Sequence, residues 1–194
     1  MRFLPGLICL LPLLSPLAHA ELIDDINDRG ELRIALEANT PPFNFKEDDK
    51  LTGFEVELGQ LLAAELDVRA DFVVTDSGDL LTGVESGKYD IAINHITETP
   101  ALTERFDFSQ PYIQTDAQLI AQKEEPRSIL LVQSLTEVKP KASQTVSLAI
   151  PFQKGNPAFH ASLENALQRI KADGRLEALS QKWLGADTSV SPKP

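Results

Sequence analysis

The feature that most constrains this chain is a change of hydrophobic period between neighbouring segments. Leu32-Arg33-Ile34-Ala35-Leu36 alternates at period two, as a strand does. Phe54, Leu58, Leu61 and Leu62 fall at i, i+4, i+7 and i+8, with Leu66 extending the same helical stripe. Val68 to Val74 then reads as a second strand, Leu80 to Glu85 as a helix and Tyr89 to Asn94 as a third strand. Strand, helix and strand at this spacing predict an α/β fold: a mostly parallel sheet flanked by helices, with right-handed crossovers.

Punctuation supports that reading. Leu22 to Asp28 is a short leading helix ended by Gly30. Thr40-Pro41-Pro42 stops the first strand, because proline has no N–H for a ladder and restricts the residue before it. Glu47-Asp48-Asp49-Lys50 is a polar turn, and Gly53 and Gly87 suit turns of positive φ. Phe106 and Phe108 suggest a short strand, while Phe43, Phe45 and Phe54 are expected in the core. Tyr112 to Gln122 reads as a long strand leaving this unit, and Val146 to Pro151 as a strand returning. Phe159, Leu163, Ala166, Leu167 and Ile170 make one helical face, opened at Asn156-Pro157. Leu176, Leu179 and Trp183 make a second, capped by Gly185, with Trp183 expected to anchor it on the parallel sheet.

Residues 1–20 read as a cleavable export signal. Arg2 precedes an apolar stretch broken by Pro5, Pro12 and Pro16, and Ala18-His19-Ala20 is a small-x-small cleavage site. The expected mature chain begins at Glu21 in the periplasm or an equivalent extracytoplasmic space, not embedded in a membrane. Its one cysteine, Cys9, leaves with the signal, so no disulfide or cysteine nucleophile is expected. The formal charge of −11 becomes more negative without Arg2, which argues against nucleic acid as a partner.

Between the departing and returning strands, 124–144 is far shorter than the ~50 residues of the smallest ordinary domains. The expected organisation is therefore one discontinuous α/β lobe from 21–123 and 145–185. Residues 124–144 would be a short replacement for a second lobe, and 186–194 a flexible tail.

Several motifs carry a family likeness. They are Pro41-Pro42-Phe43-Asn44-Phe45, Leu51-Thr52-Gly53-Phe54-Glu55-Val56-Glu57-Leu58, Ser86-Gly87-Lys88-Tyr89-Asp90-Ile91 and Phe106-Asp107-Phe108-Ser109-Gln110-Pro111-Tyr112. Ile170-Lys171-Ala172-Asp173-Gly174 and Lys182-Trp183-Leu184-Gly185 follow near the end. In this order they resemble the family 3 extracytoplasmic solute-binding proteins, the amino-acid receptors of ABC importers. That resemblance implies a periplasmic-binding-protein-like lobe with the second lobe largely absent, and a ligand cleft at the lobe's edge.

Carried over position by position, the resemblance points to Glu37, Thr40, Ser77, His95, Thr97 and Leu102 as ligand-lining residues. Glu37 stands where the family often carries an acidic group near a ligand amine; its alternative is a solvated strand-end carboxylate. Thr40 and Ser77 stand where family members usually carry aromatics. Thr97 matches a ligand-binding threonine or, equally, a loop cap. Leu102 replaces an arginine that clamps the ligand carboxylate, and loss of such a charge-assisted contact costs about 1.5–3 kcal/mol. Arg105, three residues on, could substitute through a shared helical face, or else be solvated or pair with Glu104 or Asp107. His95 is expected to tune ligand choice. No catalytic residue, metal ligand set or cofactor is expected: three histidines in the precursor, one in the signal, supply no ligand spacing.

The expected function is an exported binding domain for a small polar ligand, an amino acid or a related amine or carboxylate. It would bind weakly, or with a partner such as an ABC permease or a sensor protein. The alternative is a degenerate accessory, sensory or protein-interaction module without a transport role; an enzyme of related fold is a third reading.

Overall fold

The computed structural model describes residues 21–116 and 145–188. The expected signal at 1–20, the far part of the departing strand, the 124–144 segment and the last six residues lie outside the described residues.

The chain opens with α1 (Leu22–Arg29), which Gly30 ends at φ 70, and β1 (Glu31–Leu36). The short strands β2 (Asn39–Thr40), β3 (Asn44–Glu47) and β4 (Lys50–Thr52) form a separate antiparallel sheet. Its hairpin turns on Asp48 and Asp49, both at positive φ, the conformation that matches strand twist in a two-residue loop. Then come α2 (Phe54–Glu65), β5 (Arg69–Val74), α3 (Ser77–Glu85), β6 (Ile91–Ala92), α4 (Pro100–Thr103) and β7 (Phe106–Phe108). β8 (Ile113–Asp116) and β9 (Thr145–Leu148) pair antiparallel, and β10 (Pro151–Gln153), α5 (Pro157–Ala172) and α6 (Arg175–Leu184) complete the set.

The main sheet runs β5-β1-β6-β10-β7. β5, β1 and β6 are parallel, and β10 is antiparallel to both its neighbours, so four of the five strands share one direction. Leu32, Ile34 and Ile91 pack into a large cluster with α1, α2, α5 and α6; Ala35 and Ala92 face a smaller one with Leu80, Val84, Tyr89 and Phe106. Coverage on both faces explains why Ile34, Ala35 and Leu36 are apolar and fully buried in succession after the alternating start of β1. Phe43, Phe54, Phe152 and Phe159 are fully buried, each contributing roughly 1.5–3 kcal/mol of burial.

Several expectations need correction. The returning segment is two strands. At Ala149 and Ile150 the backbone leaves the β8–β9 ribbon for the main sheet, and its groups are taken up by Ile96 O (2.9 Å) and by Ser109, whose Oγ accepts from Ile150 N (3.0 Å). The third strand is reduced to Ile91–Ala92 because Lys88 N–H donates to Gly83 O as a cap on α3, and because the chain turns at His95, φ 42. Phe45 is half-buried and meets the Trp183 ring edge-on at 5.9 Å, so Trp183 fastens α6 to the small sheet. Beyond Gly185 the chain is not a free tail at once. Thr188 is buried, its hydroxyl is 3.0 Å from Ser180 Oγ, and its carbonyl accepts from Gln114 N–H at 3.0 Å.

Candidate functional site

The carboxyl ends of β5, β1 and β6 lie side by side, and the residues that follow them are Thr75 to Ser77, Glu37, and Asn94 to Thr97. Parallel pairing alone therefore brings Glu37, Ser77, His95 and Thr97 to one edge of the sheet. Ligands of open α/β sheets collect outside that edge.

A buried polar network stands behind it. Gly53, at φ 123, lets α2 begin hard against the Phe43 carbonyl, where a Cβ would sit 2.3 Å from the oxygen. Phe54 N–H donates to Pro42 O and Glu55 N–H to Phe43 O, so the loop after β2 is stitched to the helix start. This turns Glu55 inward, fully buried. A buried carboxylate is costly unless donors surround it. Glu55 Oε1 accepts from Tyr112 Oη (2.6 Å) and His95 N–H (2.5 Å), and Oε2 accepts from Asn44 Nδ2. Burial, and then the charge and hydrogen bond of Glu55, push the Tyr112 phenol well above its usual value.

The network reaches the edge through Asn94. Its Oδ1 accepts from Asn44 Nδ2 (3.2 Å) and from Glu37 N–H (3.0 Å), and its Nδ2 donates to Glu37 Oε2 (2.9 Å). A backbone donor on one side and a carboxylate on the other dictate which way this amide faces. Glu37 is half-buried and held at two points by one side chain.

The remaining expected residues are placed as follows. Thr40 lies in β2, opposite Asn44 in β3, with its hydroxyl on Asn39 Oδ1 at 3.0 Å. Ser77 is exposed in the first turn of α3, beside Asp76, whose side chain caps that helix by accepting from Asp79 N–H. His95 has its Nδ1 3.8 Å from Glu55 Oε2 and its ring 5.9 Å from Phe43. Thr97 is exposed, bridges to Leu148, and lines a hollow of about 460 Å³ with Glu98, Thr99, Thr103, Pro111 and Ser147. Of the six, only Thr97 touches that hollow. Leu102 packs half-buried on the smaller core cluster. Arg105 pairs with neither Glu104 nor Asp107. Its Nε and a terminal nitrogen donate to Glu85 at 3.1 and 2.5 Å, which raises the guanidinium pKa. Among the described residues no group of three His, Cys, Asp or Glu is placed to hold a metal ion.

Sequence reasoning missed Asn44, Glu55, Asn94 and Tyr112. One signal was present. Glu55 shares a helical stripe with Gly59 and Leu62, an acidic residue on a core-facing row.

Residues 32–186 match the family model of bacterial extracellular solute-binding proteins, family 3, and the chain belongs to that family. It is 26% identical over 237 aligned positions to the L-cystine-binding protein TcyJ of Escherichia coli K12, covering 89% of each chain. It is 23% identical over 233 positions to the L-cystine-binding protein TcyA of Bacillus subtilis 168, covering 87% of each. Its fold is similar to that of the L-cystine solute receptor of Neisseria gonorrhoeae in its unliganded open form, with TM-score 0.70, 23% identity, and coverage of 89% of this chain and 100% of that one. It is also similar to an ancestral amino-acid-binding protein described as a precursor of cyclohexadienyl dehydratase, with TM-score 0.68, 22% identity, and coverage of 85% and 100%.

Proposed function

We propose that this family 3 member is an exported binding protein that receives a small polar ligand, an amino acid or a related amine or carboxylate, at the carboxyl ends of β5, β1 and β6. The observation that carries this reading is the two-point hold of Asn94 on Glu37 at that edge, backed by the buried Glu55. Scaffolds hold functional side chains in one geometry through supporting hydrogen bonds of this kind.

The working unit is a lobe of 21–123 with 145–185, and the 124–144 segment replaces a second lobe. The alignment to the E. coli relative supports this, since its 237 positions exceed the 194 residues of this chain. A lobe without its opposing wall leaves the ligand open to water, so binding is weak unless a partner closes over it. An ABC permease or a sensor protein would supply that wall. Residues 1–20 direct export, in keeping with a family of extracellular solute-binding proteins. The protein is not an enzyme in this reading.

A second reading, an accessory or sensory module without a solute, draws on Leu102 packing into the core cluster and Arg105 being committed to Glu85. A thermal-shift screen of the mature chain against L-cystine, L-arginine, small carboxylates and amines separates the two. A saturable rise in Tm supports the receptor. No shift with any compound supports the accessory module.

A further inference from the structure

We infer that this edge selects an organic cation that lacks a carboxylate, an alkylamine or guanidine, which Glu37 receives while Asn94 acts as its positioning residue. The inference rests on the solute-binding reading above and narrows its ligand class.

Glu37 Oε2 and the Glu37 backbone N–H are both engaged by Asn94, while Oε1 takes no hydrogen bond among the described residues. The carboxylate is therefore oriented with one oxygen to spare. Asn94 cannot turn away cheaply, because rotation would break its bonds to Glu37 N–H, Glu37 Oε2 and Asn44 Nδ2 together. The group this network presents at the edge is therefore the second oxygen of Glu37, an acceptor. An ammonium or guanidinium offers only donors, and a carboxylate offers only acceptors.

The charges agree. Glu37, Thr40, Ser77, Thr97 and Leu102 carry no positive group, and the His95 ring is turned to Glu55, with Nδ1 3.8 Å from Oε2. The cations of the neighbouring elements are held by protein acceptors, and Arg105 and Lys154 stand at the amino ends of β6 and β7, away from this edge. Arg105 makes two bonds to Glu85; Lys154 Nζ donates to Thr103 O at 2.6 Å; Lys171 Nζ donates to Pro111 O at 2.8 Å. A ligand carboxylate here would meet the charges of Glu37 and Glu55 with no described counter-cation. Like charges ~5 Å apart at a partly solvated site disfavour binding by roughly tenfold or more.

The test uses pairs that differ only by the α-carboxylate: cadaverine against L-lysine, and agmatine against L-arginine, titrated into the mature chain by calorimetry. The amine is expected to bind at least about tenfold tighter in each pair. Glu37→Gln should abolish that preference. Asn94→Ala should weaken the amines more than the amino acids and so narrow the preference, whereas a merely structural loss would weaken both equally and leave the preference intact. L-Lysine or L-arginine binding as tightly as its amine overturns the inference and leaves the receptor reading intact. Silence of all four with L-cystine still binding does the same. Silence of all five overturns both.

Discussion

Tyr112 donates its phenolic hydrogen to Glu55 across 2.6 Å, at a place where neither side chain meets solvent. The chain has two tyrosines, and they should ionise very differently. A hydrogen bond from Lys88 lowers the Tyr89 pKa, whereas burial beside Glu55 raises that of Tyr112. A folded-state pKa raised above the unfolded value, near 10, gives stability that is complete below that value and lost as pH climbs past it. Absorbance at 295 nm should therefore show one tyrosine ionising reversibly in the folded protein and the second only with unfolding. Tyr112→Phe should remove the second step.

Glu55→Leu leaves three donors without their acceptor: Tyr112 Oη, His95 N–H and Asn44 Nδ2. The expected loss is about 3–5 kcal/mol, and about 1–3 kcal/mol for Glu55→Gln, which keeps one acceptor oxygen. Urea denaturation followed through Trp183, the only tryptophan, measures both.

Asp90 holds the opposite end of the sheet. Its fully buried carboxylate pairs with Arg29 (2.6 Å) and Arg33 (2.7 Å) and also accepts from Arg33 N–H. Asp90→Asn leaves two half-covered guanidiniums without their counter-ion and should cost on the order of 3 kcal/mol. Equal midpoints for variant and parent in the same urea series would contradict that assignment.

The architecture was legible because hydrophobic period tracks element type. β1, α2, β5 and α3 stand where alternation and the helical stripe put them, and the faces of α5 and α6 are buried at Leu163, Leu167, Ile170 and Leu176. The split of the returning strand was not legible. It depends on Ile96 and Ser109, distant in sequence, taking up the backbone at Ala149 and Ile150. Position at the sheet edge could be read for Glu37, Ser77, His95 and Thr97, since it follows from strand ends. The partners of Glu37 and Arg105 could not, because each lies on another element and side-chain pairing leaves no period in sequence.

Leu102→Arg tests the α4 loop. The leucine is half-buried on a cluster that includes Phe106, and an arginine stem can lie along the same surface with its head in water. L-Arginine binding should improve about tenfold, through one new charge-assisted contact, at a stability cost of about 1 kcal/mol. Unchanged calorimetric titrations would mean that residue 102 does not face the ligand.

The most direct measurement is the backbone amide NMR spectrum of the isotopically labelled mature chain during titration with agmatine. The account predicts saturable shifts concentrated at Glu37 to Thr40, at Asp76 and Ser77, and from Asn94 to Glu98. Shifts centred elsewhere, or a spectrum untouched by agmatine, L-arginine and L-cystine alike, would contradict a ligand site at the carboxyl ends of β5, β1 and β6.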